Sequence, residues 1–249
     1  MPDGILELFS HQGPGQFVVE GRWCVEALLE AEGFEVVAVL RAEGAYPEFA
    51  ERYLHLADIY TVPKDQLSAV MGFAFHRGVL ALAKRPQSRP IEPSRLSGVV
   101  VACPCLADEF NLGAIIRSAA ALGASALLVP KNSGADVYSR KSIRSSSGAV
   151  FRLPVFECAE LMADIVDLKE CGFTTLATSL DEDSLSLQDL PNIEDAVVLF
   201  GPEKGGLGGD WLDLCDLKLK IPMAGGMDSL NVAASAAIVL YQLSIGRRT

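Results

Sequence analysis

The chain has 249 residues, of which 50% are hydrophobic and 7% aromatic, and its formal net charge is −11 at pH 7. This length and composition predict an ordered globular protein of one or two domains and exclude a disordered chain. The acidic balance argues against a protein that coats nucleic acid without specificity.

The sequence offers no sign of export, membrane insertion or metal binding. No basic segment followed by an apolar core opens the chain, so we expect no signal peptide and a cytoplasmic protein. The most apolar long run, residues 112–129, is interrupted by Arg117, so we expect no membrane span. The six cysteines are scattered along the chain, and we expect reduced thiols and no metal site.

The first 85 residues predict a small α/β domain. Residues 1–14 contain turn-forming residues without periodicity and predict a flexible arm. From residue 15 to 85, helical and strand patterns alternate, which is typical of a compact α/β unit. The predicted helices are 22–32, 46–56 and 63–71, and the predicted strands are 35–40, 57–62 and 78–84.

A linker is predicted at residues 86–95. Pro86, Pro90 and Pro93 fall within eight residues. Proline fixes φ and has no backbone N–H, so this segment favours an extended spacer over a helix or a central strand. We therefore place the domain boundary here.

Residues 96–249 predict a second α/β domain. Its strands are continuous apolar runs separated by helices, which indicates a mostly parallel sheet covered on both faces. Ligands on such sheets bind beyond the carboxyl ends of the strands. The predicted strands are 98–102, 126–129, 151–155, 173–178, 196–200 and 217–221, and the predicted helices are 111–122, 159–171, 209–216 and one that begins near Asp228 and Ser229.

Three stretches of this second domain are candidates for chemistry. In residues 108–119, Arg117 interrupts an apolar helix, which is unfavourable unless its guanidinium is paired or reaches out of the fold; a solvated arginine below an N-capping Asn111 is the plainer interpretation. Residues 197–208 join a strand to a glycine-rich turn that matches neither a Walker A loop nor G-x-G-x-x-G, and could be an ordinary turn. In residues 217–232, a strand stops at Pro222 and a loop with exposed amides leads into a helix, an arrangement common at nucleotide sites.

Charge is unevenly distributed. Residues 77–152 contain eleven Lys/Arg and four Asp/Glu, so this segment carries +7 and the rest of the chain −18. Solvated surface charges are the plainer interpretation of each one, but their clustering favours a patch that faces phosphate groups.

In this order and spacing, the three stretches closely resemble the SpoU (TrmH-type) family of RNA ribose 2′-O-methyltransferases, within the SPOUT class. The similar motifs are Asn-x-Gly-Ala-Ile-Ile-Arg at 111–117, Gly-x-Glu-x-x-Gly-Leu at 201–207 and Ile-Pro-Met followed by Ser-Leu-Asn-Val at 221–232. The Ser-rich residues 145–149 before Pro154 are also similar to the family pattern. Residues 15–85 resemble, less specifically, the small ribosomal-protein-L30e-like substrate domain of many members.

The resemblance implies a C-terminal α/β domain with a deep trefoil knot, an exception among folds. It also implies that S-adenosylmethionine binds among the knot loops, held largely by backbone atoms. The implied cofactor-binding residues are Leu176, Ala177, Thr178, Ser179, Gly201, Glu203, Ile221, Met223, Leu230 and Asn231.

The resemblance further implies methyl transfer to a ribose 2′-hydroxyl of ribosomal or transfer RNA by a homodimer that associates through the knot domain, without a metal. Arg117 is the implied catalytic residue, as a positioning and electrostatic group at least as much as a base. The implied polar residues around it are Asn111, Glu203, Ser229 and Asn231. Arg140, Lys141 and Arg144 are our candidates for RNA phosphate contacts.

Two other functions remain open from the sequence. One is a catalytically silent RNA-binding protein that retains the knot, against which the intact motifs argue. The other is a nucleotide-dependent enzyme on a conventional α/β sheet, such as a dehydrogenase, which the missing glycine fingerprint disfavours.

Overall fold

A computed structural model describes residues 4–131, 134–181, 183–202, 205–225 and 229–245. In the first part of the chain the elements are α1 (Ile5–Ser10), β1 (Gln16–Glu20), α2 (Arg22–Leu29), β2 (Val36–Ala42), α3 (Pro47–Tyr53), β3 (Ile59–Val62), α4 (Lys64–Met71) and β4 (Val79–Lys84). They continue with β5 (Val99–Ala102), α5 (Glu109–Ala121), β6 (Ala126–Pro130), α6 (Arg140–Ser145), β7 (Val155–Cys158), α7 (Leu161–Glu170), β8 (Thr174–Thr178), β9 (Leu185–Ser186), β10 (Ala196–Leu199), α8 (Gly209–Leu214), β11 (Leu217–Lys220) and α9 (Val232–Ile245). Within these ranges no helix is long and apolar enough to cross a membrane.

The chain forms two compact units, and each has its own sheet. The first unit comprises the described residues of 1–87 together with 138–152, and the second comprises those of 88–137 and 153–249. The break near residue 87 falls within the predicted proline-rich linker.

The first unit is built on a four-stranded sheet of order β1-β4-β2-β3. Strand β4 is antiparallel to both of its neighbours, and β3 runs parallel to β2. One core cluster of this unit joins the strands to α1 and α4 through Phe9, Leu40, Leu67 and Leu82.

The second unit contains a seven-stranded sheet of order β7-β6-β5-β10-β8-β11-β9. All six pairings between these described strands are parallel. The inner strands are buried on both faces, as their continuous apolar sequences predict. Helix α7 packs Ile165 and Leu168 into the core, and α5 packs against α9. The predicted mostly parallel α/β fold is therefore confirmed.

Residues 138–152 differ from the sequence-based boundaries, which placed them in the second domain. Tyr138 and Phe151 stack on Phe17 of β1 with ring centroids 5.1 and 6.1 Å apart. The Sγ atom of Cys24 in α2 lies 3.8 Å from the carbonyl oxygen of Ile143 in α6. This aromatic and apolar packing ties the segment to the first unit, and no local pattern in the sequence indicates such a return.

Three of the element boundaries that differ from prediction have a clear physical reason. Residues 5–10 form α1 instead of a flexible arm, because Ile5 and Phe9, four residues apart, are both buried. Strand β7 begins at Val155, after Pro154, which has no N–H to donate to a ladder. Helix α9 begins at Val232 instead of near residues 228–229; Asp228 lies outside the described residues.

Candidate functional site

The second unit contains a cavity at one edge of its sheet. Strands β10, β8 and β11 are parallel neighbours, so the loops after their carboxyl ends meet at the same edge. These loops and the start of α9 enclose a cavity of about 330 Å³. This volume lies at the lower end of the range for small-molecule sites. Its apolar walls include Leu207, Leu212, Leu219, Ile221 and Val232.

Six of the ten predicted cofactor residues line this cavity: Thr178, Ser179, Gly201, Ile221, Met223 and Leu230. Leu176 and Ala177 instead lie in the middle of β8 and are fully buried between neighbouring strands, so they support the loop but do not line the cavity. Asn231 lies between two lining residues and binds another helix. Glu203 lies outside the described residues.

At Gly201 two backbone segments of the cavity wall approach each other closely. A Cβ atom at this position would lie 2.7 Å from the backbone nitrogen of Leu207 and 2.9 Å from the carbonyl carbon of Gly206. Side chains are therefore excluded here by space, and the loop can fold back to place Gly205, Gly206 and Leu207 in the cavity wall.

Several lining residues were missed by sequence reasoning. Gly205, Gly206 and Leu207 belong to a stretch that was singled out, but their neighbour Leu212 comes from α8, where no motif pointed to a site. The remaining missed residues are Leu180, Asp181, Pro202, Leu219, Val232 and Ser235. Lys218 lies near the cavity as well, with its Nζ 3.4 Å from Oδ2 of Asp181.

Two asparagines connect α5 to the cavity. The Nδ2 of Asn231 donates to Oδ1 of Asn111 at 3.0 Å, and the Oδ1 of Asn231 accepts from the backbone nitrogens of Ala233 and Ala234. Asn231 is therefore the N-cap of α9. Asn111 is not the cap of α5, because Oδ1 of Asp108 accepts from its backbone nitrogen at 2.8 Å.

Arg117 lies two turns further along α5 and is exposed. Its neighbours Ile115 and Ile116 are fully buried, whereas its guanidinium has no hydrogen bond or ion pair to the described part of the chain. The arginine that interrupts the apolar helix therefore reaches out of the fold, so its guanidinium stays hydrated and avoids the cost of desolvation. Ser229, the remaining predicted polar residue, lines the cavity.

Asp216, directly before β11, forms hydrogen bonds with Thr175 near the start of β8. Its carboxylate accepts from the backbone nitrogen and the hydroxyl of Thr175 at 2.9 and 2.7 Å, and from Nζ of Lys169 at 2.7 Å. Burial alone would raise the pKa of Asp216, but the hydrogen bonds from Lys169 and Thr175 outweigh it and the pKa is lowered. The carboxylate thus fixes the strand pair that carries two of the cavity loops.

The predicted RNA-binding residues belong to the first unit and have different surroundings. Arg140 is partly buried, lies 3.5 Å from the buried carboxylate of Glu20, and stacks over the ring of Phe73 at 5.2 Å. Lys141 and Arg144 are exposed on α6. Arg140 therefore has a structural role within the unit.

No group of three or more His, Cys, Asp or Glu side chains is placed to hold a metal ion within the described ranges. Cys103 and Cys105 differ in environment: the first is buried, and burial raises the pKa of its thiol to about 12, while the second is exposed. Cys103 is therefore an inert thiol at neutral pH.

The chain is similar to known methyltransferases in sequence and in fold. The SpoU rRNA Methylase family model matches residues 98–241. An uncharacterized tRNA/rRNA methyltransferase of Mycobacterium bovis is 30% identical over 92% of this chain and 81% of its own length. The 23S rRNA (guanosine-2′-O-)-methyltransferase RlmB of Acinetobacter baylyi is 28% identical over 88% of this chain and 92% of its own length.

The SpoU methyltransferase AviRb from Streptomyces viridochromogenes, solved in complex with AdoMet, has the same fold with a TM-score of 0.80. It is 28% identical, and the alignment covers 98% of this chain and 97% of AviRb. The family match spans the whole of the cavity, the paired asparagines and Arg117. The chain belongs to the SpoU rRNA methylase family.

Proposed function

We propose that this chain transfers a methyl group from S-adenosylmethionine to a ribose 2′-hydroxyl of a structured RNA, ribosomal or transfer. The observation that carries the proposal is the dual role of residues 229–235. Ser229, Leu230, Val232 and Ser235 line the cavity, while Asn231 between them binds Asn111 on the helix that presents Arg117. One hydrogen bond thus joins the wall of the cavity to the helix that carries Arg117.

The residues around the cavity fit S-adenosylmethionine. Its adenosine part would meet apolar walls such as Leu207, Ile221 and Leu230, and hydroxyls such as Thr178 and Ser229 offer hydrogen bonds to a ribose. The closely folded backbone at Gly201 provides main-chain groups at the same place. When bound, this cofactor supplies an electrophilic methyl group on a sulfonium.

The chain's own contribution would be to orient the nucleophile and to stabilise the negative charge that develops on its oxygen, while the released proton passes to solvent. A ribose 2′-hydroxyl is a poor nucleophile until it is deprotonated, and alignment with the acceptor carbon gives much of the acceleration. Guanidinium groups stay protonated in proteins, so Arg117 is a poor base and is suited to hold a phosphate or a developing alkoxide. Asn111 and Asn231 would fix the start of α5 and α9 around it. We propose that this methyl transfer requires no metal ion.

We also propose that the C-terminal residues form the trefoil knot that the motifs imply. The support is that the start of α9 meets the loops after β8 and β10 in a single cavity, although those strands lie far back in the sequence. In this arrangement the knot and the cofactor site are the same structure.

A homodimer through this unit is the assembly we propose. Ile238, Tyr241 and Ile245 on α9 are 40, 54 and 43% exposed and lie three and four residues apart along the helix, on one face. Phe110 at the start of α5 is also exposed, by 44%. A second copy of the chain would remove this apolar surface from water. We place the protein in the cytoplasm, where bacterial ribosomal RNA, the named substrate of its relatives, is found.

Two measurements test the proposed function together. Isothermal titration of S-adenosylmethionine should give saturable 1:1 binding per chain, and labelled methyl groups should pass to unmodified bacterial ribosomal or transfer RNA. Arg117→Ala should keep the cofactor affinity and lose transfer by on the order of 100-fold, because the side chain is exposed and not part of the cavity wall. RNA binding without cofactor binding would instead support the catalytically silent protein.

A further inference from the structure

We propose that Trp23, in the first unit, is a stacking platform for an unpaired nucleobase of the RNA, with Arg77 and Arg144 beside it as phosphate contacts. This inference rests on the proposed function for the identity of its ligand. It concerns residues outside the cavity of the second unit.

Trp23 is the most exposed large apolar side chain among the described residues, at 76%. It lies in the first turn of α2, and the residues that follow it, Cys24 and Val25, are buried. The backbone of this turn is therefore fixed while the indole projects into solvent. An aromatic ring this exposed contributes little to the core and is a surface on which a planar group can stack.

The same turn is packed against the end of α6. Gly148 has φ +79°, and a Cβ atom there would lie 2.8 Å from Cβ of Ala27, 3.3 Å from Cα of Cys24 and 3.6 Å from the carbonyl oxygen of Trp23. This close approach places the segment after α6 directly on α2. Arg144, in the last turn of α6, is exposed.

Two more arginines lie next to the turn that carries the indole. The Cζ of Arg22 lies 5.8 Å from the centre of the Trp23 ring. The guanidinium of Arg22 forms ion pairs with Glu26, through Nε, and with Glu48, through Nη1, each at 2.8 Å. The side chain of Arg77 packs on Gly21, with its Cδ 3.4 Å from the position that a Cβ atom of residue 21 would occupy. Arg77 is exposed, and its guanidinium has no hydrogen bond or ion pair to the residues that the structure describes. Arg22 is thus neutralised and supports the ring, whereas Arg77 keeps its charge available.

The charges favour RNA over a protein as the occupant. Residues 138–152 bring Lys141, Arg144 and Arg152 to this unit, besides Arg140, which pairs with Glu20, and they contain no acidic residue. Single-stranded RNA is bound by aromatic rings that stack on its bases and by cations that follow its phosphates. An exposed indole with arginines on the neighbouring elements has this composition, within a chain of net charge −11.

Binding to an unmodified 23S ribosomal RNA transcript, measured by filter retention with the full chain, tests the proposal. Trp23→Ala should weaken binding roughly fivefold to a hundredfold, the range for loss of one stacked base. Trp23→Phe should restore most of the affinity, because an aromatic face remains. Leu54→Ala removes another exposed apolar side chain of the same unit, 64% exposed, and should leave binding unchanged.

Tryptophan fluorescence provides a direct readout of stacking. The chain has two tryptophans, Trp23 and Trp211, and the second lies in α8 of the other unit. Titration with a single-stranded 12-nucleotide oligouridylate should quench emission in the wild type and should not in Trp23→Phe. Arg77→Ala should also reduce the slope of log affinity against log salt by about one, while Lys64→Ala, an exposed cation at the start of α4, should not.

Transcript affinity of Trp23→Ala within twofold of wild type would overturn the proposal, as would unquenched Trp23 emission at saturating RNA. Unchanged RNA affinity with loss of a co-purifying protein would assign the surface to a protein partner instead. Titration with S-adenosylmethionine distinguishes failure of the Trp23 proposal from failure of the proposed methyltransferase function. If wild type neither binds S-adenosylmethionine nor transfers methyl groups, the enzyme proposal fails, and the RNA-binding comparison still decides the role of Trp23.

Discussion

Asn231 and Asn111, 120 residues apart in sequence, are joined by a 3.0 Å hydrogen bond between their side-chain amides. The Oδ1 of the same Asn231 side chain accepts hydrogen bonds from the backbone nitrogens of Ala233 and Ala234. One side chain therefore caps α9 and holds it to the start of α5. Because Leu230 and Val232 on either side line the cavity, this contact also sets the position of the cavity wall.

Asn231→Ala should lower the free energy of unfolding by about 1–2 kcal/mol, because it removes both the N-cap and the bond to Asn111. It should also weaken S-adenosylmethionine binding, since the neighbouring wall residues lose their anchor. Urea denaturation and isothermal titration measure the two effects.

Asn231→Ser is the matched control, because serine caps a helix but is too short to keep the bond to Asn111. It should recover part of the stability and little of the cofactor affinity. Equal cofactor affinity in all three proteins would contradict the role of the asparagine pair in shaping the cavity.

Gly201→Ala should reduce cofactor affinity by at least tenfold. The added Cβ atom would lie 2.7 Å from the nitrogen of Leu207, so the loop that carries three lining residues has to move. Isothermal titration checks the affinity, and thermal unfolding checks that the fold persists. Gly209→Ala is the control: a Cβ atom there meets nothing within 4 Å, and alanine should stabilise α8 by about 0.5–1 kcal/mol. Wild-type affinity in Gly201→Ala would argue against a cofactor in this cavity.

The fold of the second unit was predictable because its information is local. Apolar strand runs such as Val99–Ala102 and Ala196–Leu199 are buried on both faces, so their sequences carry no alternation and indicate parallel strands. The glycines at 201, 205 and 206 indicated a turn after the strand. These features depend on residues within a few positions of each other.

Other features depend on contacts between distant residues and left no local pattern. Phe17 and Phe151 stack although 134 positions separate them in the numbering, and no periodicity predicts that residues 138–152 return to the first unit. Asn231 was expected inside a helix that began earlier, because Asp and Ser are good caps and either position satisfied the local rules. Its bond to Asn111 is a tertiary contact that favours the later start. Leu212 lines the cavity through the placement of α8, which the sequence alone does not fix.

Stability should depend on pH through Asp216. Its pKa in the folded state is lowered, so its carboxylate form stabilises the fold above the ordinary aspartate pKa of about 3.9, and that contribution is lost as pH falls through the lowered value. Asp216→Asn should lower the free energy of unfolding at pH 7 by about 1 kcal/mol, a modest value because the side chain is 36% exposed. Its stability should also fall less steeply than that of wild type between pH 5 and 2.

Denaturation at a series of pH values measures both slopes. Asp213→Asn, which neutralises an exposed acid on the neighbouring α8, should leave the slope at its wild-type value. A wild-type slope in Asp216→Asn would mean that the hydrogen bonds from Lys169 and Thr175 do not stabilise the charged form.

Tyr241→Glu should convert the protein from a dimer to a monomer. Tyr241 is 54% exposed between Ile238 and Ile245, and a carboxylate placed among these side chains would have to be buried in the proposed dimer, which is unfavourable without a partner charge. Light scattering coupled to size exclusion should give twice the chain mass of 26.6 kDa for wild type and the chain mass itself for the variant. Leu54→Glu places the same charge on an exposed apolar position of the first unit and should remain dimeric. A monomeric wild type, or a variant that keeps the wild-type mass, would show that α9 is not the dimer interface.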